Sequence, residues 1–158
     1  MQLRSFLFCT LFAAIGASAT LVAQPPAAPA QAQAGHDDDT PLGEKMGAMG
    51  KAFKKLRSQI SDAAKNEDSL KLVAILRENA EAAMKLEPAK KADLPAADQA
   101  KFQADFVAKM KSFLADVAKL EDALKAGNNE DAKKLLEALN TDQKEGHKEF
   151  RKKKAEKK

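Results

Sequence analysis

The sequence predicts an all-α fold, specifically an antiparallel four-helix bundle with up-down-up-down topology. Its 158 residues contain no Trp, no Tyr and only seven Gly, whereas Ala, Lys, Glu and Leu are abundant, and this composition favours helix over sheet. Four segments carry apolar residues at helical spacing, and short connections join them. Short connections place consecutive helices side by side and antiparallel, so the four apolar stripes would meet in one core.

Residues 1–23 are predicted to be a secretory signal peptide. Arg4 supplies a positive charge before a short apolar run, and small residues follow, with cleavage expected after Ala19 or Ala23. The run is too short to span a membrane, so we expect no membrane insertion after cleavage and a periplasmic protein. Cleavage removes Cys9, the only cysteine. The mature chain would therefore have neither a disulfide nor a Cys-x-x-Cys-His haem attachment site.

Residues 24–39 are rich in Ala, Pro and Gln, and we expect a disordered spacer. The spacer ends in His36 and three Asp residues, for which we favour a solvated acidic segment over a metal site, because nothing fixes the geometry of the ligands. Thr40 and Pro41 have the residue types of a helix N-cap and a first helical position. The predicted bundle spans residues 40–154, and residues 155–158 form a basic tail.

The first two helices are predicted from their apolar spacing. In the first helix the spacing alternates between four and three residues, which gives a narrow stripe facing other helices. That stripe comprises Leu42, Met46, Met49, Phe53, Leu56, Ile60 and Ala63. A turn and cap cluster at residues 66–69 precedes a second helix from near Leu70 to about Leu86, and Pro88 stops it. The broad apolar face of this helix comprises Leu72, Val73, Ile75, Leu76, Ala80, Ala83 and Met84.

The third helix is predicted over residues 96–126, with Gly127 in the position that usually ends a helix. Its stripe comprises Phe102, Phe106, Met110, Phe113, Val117, Leu120 and Leu124. Asn128 or Asn129 caps the fourth helix, and two acidic residues follow in its first turn. The fourth helix carries Leu136, Leu139, Gln143, Gly146, His147 and Phe150, and we expect it to fray over residues 152–158.

Met46 and His147 are the residues with the clearest capacity for chemistry. In the predicted topology the first helix starts at the end to which the fourth helix returns, so both residues should lie about two turns inside that end. A thioether and an imidazole on facing helices could bind opposite faces of a haem iron. Each residue also has an ordinary structural interpretation, as a core methionine and a partly exposed histidine. Met49 is the alternative thioether.

The neighbours of His147 are compatible with a bound porphyrin. Gly146 lacks a side chain beside the histidine and could leave room for a flat ring, although it weakens the helix. Arg151 lies one turn further and could pair with a haem propionate, or it could simply be a helix C-terminal cation. Phe106 and Met110 could pack on the porphyrin, but any helical bundle would also use them in its core.

Three short segments of the predicted bundle match a pattern that is known from one family. They are Leu42-Gly43-Glu44-Lys45-Met46, Asp122-Ala123-Leu124-Lys125 and Gly146-His147-Lys148-Glu149-Phe150-Arg151. In these segments the chain resembles the soluble cytochrome b562 family, whose members are small periplasmic four-helix bundles. The resemblance covers about residues 41–152.

The resemblance implies a function and assigns residues to it. It implies one non-covalent haem b per chain, with Met46 and His147 as axial ligands, and electron transfer to an unidentified periplasmic redox partner. Phe106 would pack on the haem, although the alignment of residues 122–125 favours Phe113 instead. Two strong-field ligands leave no open position for a substrate, so we expect a monomeric electron carrier and not an enzyme.

The alternative is a haem-free periplasmic bundle that acts as a binding or chaperone-like module. Other classes have little support. The balance of 27 basic against 23 acidic residues is too small to indicate a nucleic-acid partner. The lysines do not gather on one helix face, as a membrane-surface protein would require. No nucleophile is paired with a base, which again argues against an enzyme.

Overall fold

The computed structural model describes residues 39–152 of the chain. The predicted signal peptide, the spacer as far as residue 38 and the tail lie outside this range, as do the last two residues of the predicted bundle. Within the range, four α-helices confirm the all-α bundle, and short 3-10 turns at Ala63–Lys65 and Ala89–Asp93 lie in the first two connections. The helices are α1 (Pro41–Gln59), α2 (Asn66–Ala83), α3 (Ala96–Lys125) and α4 (Asn129–Phe150).

Each helix packs against the helix that follows it in the chain. The short connections make consecutive helices antiparallel, which gives the predicted up-down-up-down topology. One end of the bundle therefore holds the start of α1 and the end of α4. These two helices approach each other at only a few positions, and we call this end the open end. The opposite end is the far end. Within residues 39–152, no helix is long and apolar enough to cross a membrane.

The start of α1 follows the sequence prediction, and its end does not. Thr40 is the N-cap, and its hydroxyl accepts a hydrogen bond of 2.9 Å from the N–H of Gly43, while Pro41 occupies the first helical position. The helix ends at Gln59, so the prediction that Ala63 extends the apolar stripe is wrong. Asp62 accepts a hydrogen bond of 3.0 Å from the N–H of Ala64 and caps a new 3-10 turn, which leaves Ala63 exposed.

The bounds and face of α2 also differ from the prediction. The helix begins at Asn66 and not near Leu70, so residues 66–69 form its first turn. Ser69 is fully buried there and accepts a hydrogen bond of 2.9 Å from the side-chain amide of Gln59, which joins α2 to α1. Ile75 is 38% exposed and does not belong to the buried face. The helix ends at Ala83, before the residues that lead to Pro88.

Two asparagines close the far end of the bundle. The side-chain amides of Asn66 and Asn129 exchange hydrogen bonds of 3.1 and 2.8 Å, and Asn129 also donates to the carbonyl of Ile60 at 2.7 Å. Asn128 is the N-cap of α4, because its side chain accepts from the N–H of Asp131. Gly127 ends α3 with a φ of 70°, as predicted. These contacts join the α1–α2 connection to the α3–α4 connection.

The buried side chains form two clusters. The larger cluster occupies the middle and the far end of the bundle and draws on all four helices. The smaller cluster lies at the open end and comprises Leu42, Ala83, Phe106 and Phe150. Met46 packs against both clusters, so it lies at the boundary between them. The boundary between the two clusters therefore lies at Met46, the predicted thioether ligand.

Candidate functional site

A cleft opens at the boundary between the two clusters, where α1, α3 and α4 surround it. The cleft has a volume of about 190 Å³, and its mouth is open to solvent. All five site residues predicted from the sequence line this one cleft: Met46, Phe106, Met110, His147 and Arg151. The structure thus brings together side chains from three helices that are far apart in the chain.

Met46 and His147 enter the cleft from two helices that make little contact with each other. Met46 lies five residues inside the start of α1, and His147 lies three residues inside the end of α4. At the rise of an α-helix this difference in depth is about 3 Å, so the two residues lie at similar levels. Both are half-buried. Their role as ligands of one iron stays a prediction.

Aromatic rings form the apolar wall of the cleft. The Phe150 ring centroid lies 5.2 Å from that of Phe102 and 5.4 Å from that of Phe106, with the second pair edge-on. Deeper in the cleft, Phe53 and Phe113 pair at 6.0 Å. Phe106 and Phe113, the two alternatives for the ring on the third helix, both line the cleft. Sequence reasoning did not assign Phe150 to the site, although its place at the end of the α4 stripe was a usable signal.

Three glycines give the cleft stretches of bare backbone. Gly47, Gly50 and Gly146 line it, and a Cβ added to any of them would meet no heavy atom within 4 Å. All three are helical, so neither a turn nor close helix packing requires a glycine there. Gly146 was singled out from the sequence, whereas Gly47 and Gly50 were not. The open space beside these residues could accept the edge or face of a ligand.

One charged cluster belongs to the cleft wall. Lys109 of α3 lies 3.3 Å from the carboxylate of Asp142 and 3.4 Å from that of Glu145, both on α4, and Lys109 and Asp142 line the cleft. Desolvation by burial lowers the pKa of Lys109, but the hydrogen bonds and charges of Asp142 and Glu145 outweigh it, so the pKa lies above its ordinary value. Lys109 is therefore a fixed positive charge at neutral pH.

The connection between α2 and α3 covers the open end beside this site. Pro88 is buried and lines the cleft. Lys90 donates a hydrogen bond to the backbone carbonyl of Glu149 and lies 5.9 Å from the centroid of the Phe102 ring. Lys152 forms an ion pair of 2.8 Å with Asp93. These contacts hold the last turn of α4, which carries His147. Arg151 follows that turn as an exposed C-cap residue in an extended conformation.

The donor set and the apolar lining of the cleft match the chemistry of a haem group. A thioether and a neutral imidazole are an established axial pair for haem iron. Phenylalanine and methionine side chains supply the apolar surface that a porphyrin needs, and the bare backbone at Gly50 and Gly146 leaves room for a flat ring. The residues present are therefore suited to a flat apolar group that takes a thioether and an imidazole as ligands.

The fold and the cleft define a class of protein, a four-helix bundle with an apolar cleft at one end. The family model described as cytochrome b562 matches residues 41–151, which is well over half of the chain. The protein belongs to the cytochrome b562 family, whose members are haem-binding electron carriers and not enzymes. No curated protein and no solved structure matches the chain.

Proposed function

We propose that this protein is a periplasmic electron carrier that binds one non-covalent haem b per chain, with Met46 and His147 as the axial ligands. The observation that carries the proposal is that these two residues, from opposite ends of the bundle sequence, line one apolar cleft at similar depth. Membership of the cytochrome b562 family supports it, because both residues lie within the matched region. The only cysteine, Cys9, precedes that region, which is consistent with non-covalent binding.

The side chains of the cleft have separate tasks in this proposal. When bound, haem supplies one-electron chemistry at its iron. Met46 and His147 would hold the group from two helices and would leave no coordination position for a substrate. Phe106, Met110 and Phe150 cover it with apolar surface and exclude water. Arg151, exposed at the rim, is placed to pair with a carboxylate of the haem.

The proposal extends to location and partner. A signal peptide at residues 1–23 would deliver the chain to the periplasm, where it would act as a monomer and exchange electrons with a redox protein. Contact with that partner would be brief, because an electron carrier must bind and release in each cycle. No nucleic acid and no membrane insertion is part of this function.

Hemin titration with leucine variants tests the ligand assignment. Leucine keeps roughly the volume of methionine and removes only the sulfur. We expect the parent protein to bind hemin one-to-one with a low-spin, six-coordinate absorption spectrum. Met46→Leu should give a high-spin spectrum, whereas Met49→Leu, one turn away on the same helix, should keep the parent spectrum. His147→Ala should abolish binding or give a high-spin spectrum.

The outcomes separate the possible functions. If Met46→Leu and His147→Ala both keep the parent spectrum, the ligand assignment is wrong. If Met49→Leu alone changes the spectrum, the thioether comes from the next turn of α1. A parent protein that takes up no hemin would favour the haem-free binding module, for which the same apolar cleft would serve another ligand.

A further inference from the structure

The cleft wall contains an ion pair that joins two helices. Lys109 and Asp142 join α3 to α4 in the cleft wall, and their side chains are 29% and 34% exposed. The ion pairs of Lys71, Lys101 and Lys119 lie within single helices, and their lysines are much more exposed. The pair in the cleft is therefore less accessible to water than those surface pairs, and salt screens its charges less.

Stability alone gives little reason for this pair. Surface and partly buried ion pairs contribute on the order of 0–1 kcal/mol, because desolvation offsets most of the attraction. An apolar pair would close the same wall without that cost. Both charges instead face a cleft that is lined mainly by phenylalanine, methionine and glycine. A charge in such a wall acts more strongly on any charge held in the cleft than an exposed surface charge would, because apolar side chains screen it less than water does.

We propose that Lys109 and Asp142 set the reduction potential of the group bound in this cleft, with Lys109 raising it and Asp142 lowering it. This inference rests on the proposed function. Reduction of haem iron removes one positive charge from the site. A nearby cation therefore favours the reduced state, and a nearby carboxylate favours the oxidised state.

Pairing makes the two effects nearly cancel in the parent protein. Glu145 also contacts Lys109, but it is 64% exposed, so water and salt screen most of its charge. Removal of one partner leaves the charge of the other uncompensated beside the cleft. The two single variants should therefore shift the potential in opposite directions, and the double variant should return close to the parent value.

The test is a spectroelectrochemical titration of the hemin-loaded protein at fixed pH and salt. We expect Lys109→Gln to lower the midpoint potential and Asp142→Asn to raise it. The matched control is the Asp116–Lys119 pair on α3, which lies outside the cleft and has a carboxylate of similar exposure, 27%. Asp116→Asn and Lys119→Gln should leave the potential unchanged. Lys109→Arg, which keeps the charge, should also stay near the parent value.

Several results would overturn the inference. The pair does not tune the potential if the two single variants shift it in the same direction, or by no more than the controls. Loss of hemin binding in Lys109→Gln with retention in Lys109→Arg would instead show that the pair only holds α3 against α4. A purely structural role would change the melting temperature of the apoprotein without opposite potential shifts. If the parent protein binds no hemin, the proposed function itself fails.

Discussion

Alanine at Gly50 and Gly146 should stabilise the empty bundle and weaken its binding of hemin. Both glycines lie inside helices, at positions where an added Cβ meets no heavy atom within 4 Å. Alanine should therefore gain its full advantage in helix propensity, about 1 kcal/mol at each site. The sites lie on α1 and α4, so the double variant should gain about 2 kcal/mol. For a domain of this size, that gain would raise the melting temperature by roughly 8 °C.

The effect on hemin should have the opposite sign. Both residues line the cleft, so each new methyl group occupies space that the bare backbone leaves open. A rigid porphyrin ring cannot bend away from the added methyl groups, so the helices would have to move apart for hemin to bind. Overpacking of this kind costs typically 1–3 kcal/mol. We therefore expect hemin affinity to fall by roughly tenfold or more for the double variant.

Thermal unfolding of the apoprotein by circular dichroism, combined with hemin titration, measures both effects. Ala138→Gly is a matched control, because Ala138 is exposed on α4 and lies outside the cleft. It should lose about 1 kcal/mol of stability without a change in hemin affinity. The reasoning is refuted if the double variant binds hemin as tightly as the parent. It is also refuted if its apoprotein melts at a lower temperature, since the glycines would then be required by packing.

Three further perturbations follow from the structure. Asn129→Ala should destabilise the protein by about 1 kcal/mol in urea unfolding, because it leaves partly buried hydrogen-bond partners unpaired at the far end; unchanged stability would show that the amide pair is dispensable. Phe150→Ala should lose roughly 3 kcal/mol and release hemin faster, because two ring contacts disappear beside the cleft; unaltered hemin release would remove the ring from the site. Because the pKa of Lys109 is raised in the folded protein, its protonated form stabilises the fold. This stabilisation is complete below the ordinary lysine pKa of about 10.4 and is lost as the pH rises through the higher pKa of the folded protein. The difference in unfolding free energy between the parent and Lys109→Gln should therefore shrink as the pH rises above the ordinary lysine pKa, and a difference that grows there would contradict it.

Features that depend on neighbouring residues in the chain could be predicted from the sequence. The helical spacing of apolar residues, the cap at Thr40 and the terminator Gly127 each act within one or two turns. The structure agrees with the cap and the terminator, and with the apolar spacing except at Ala63 and Ile75. Short connections then allow one simple topology, which places the start of α1 and the end of α4 at the same end. That argument was sufficient to put Met46 and His147 on one cleft without coordinates.

The predictions that failed concern residues whose conformation or burial depends on contacts with other helices. Residues 66–69 have the composition of a turn, yet they form the first turn of α2, because Asn66 and Ser69 find partners on other elements. Ile75 satisfies the helical period but lies beyond the width of the face that the neighbouring helices cover. The apolar pattern of one helix does not define how much of its surface the neighbouring helices will cover.

The sequence by itself determined four helices, their order, their inward faces and the pair of residues with the chemistry of axial ligands. Only the tertiary structure decided that α1 and α4 stand apart, that Gly47 and Gly50 expose bare backbone in the cleft, and that Lys109 of α3 meets Asp142 of α4 in the cleft wall. The physical reason is the range of the forces involved. Periodicity and capping act along one helix, whereas the space left between helices depends on the fit of many side chains from different parts of the chain.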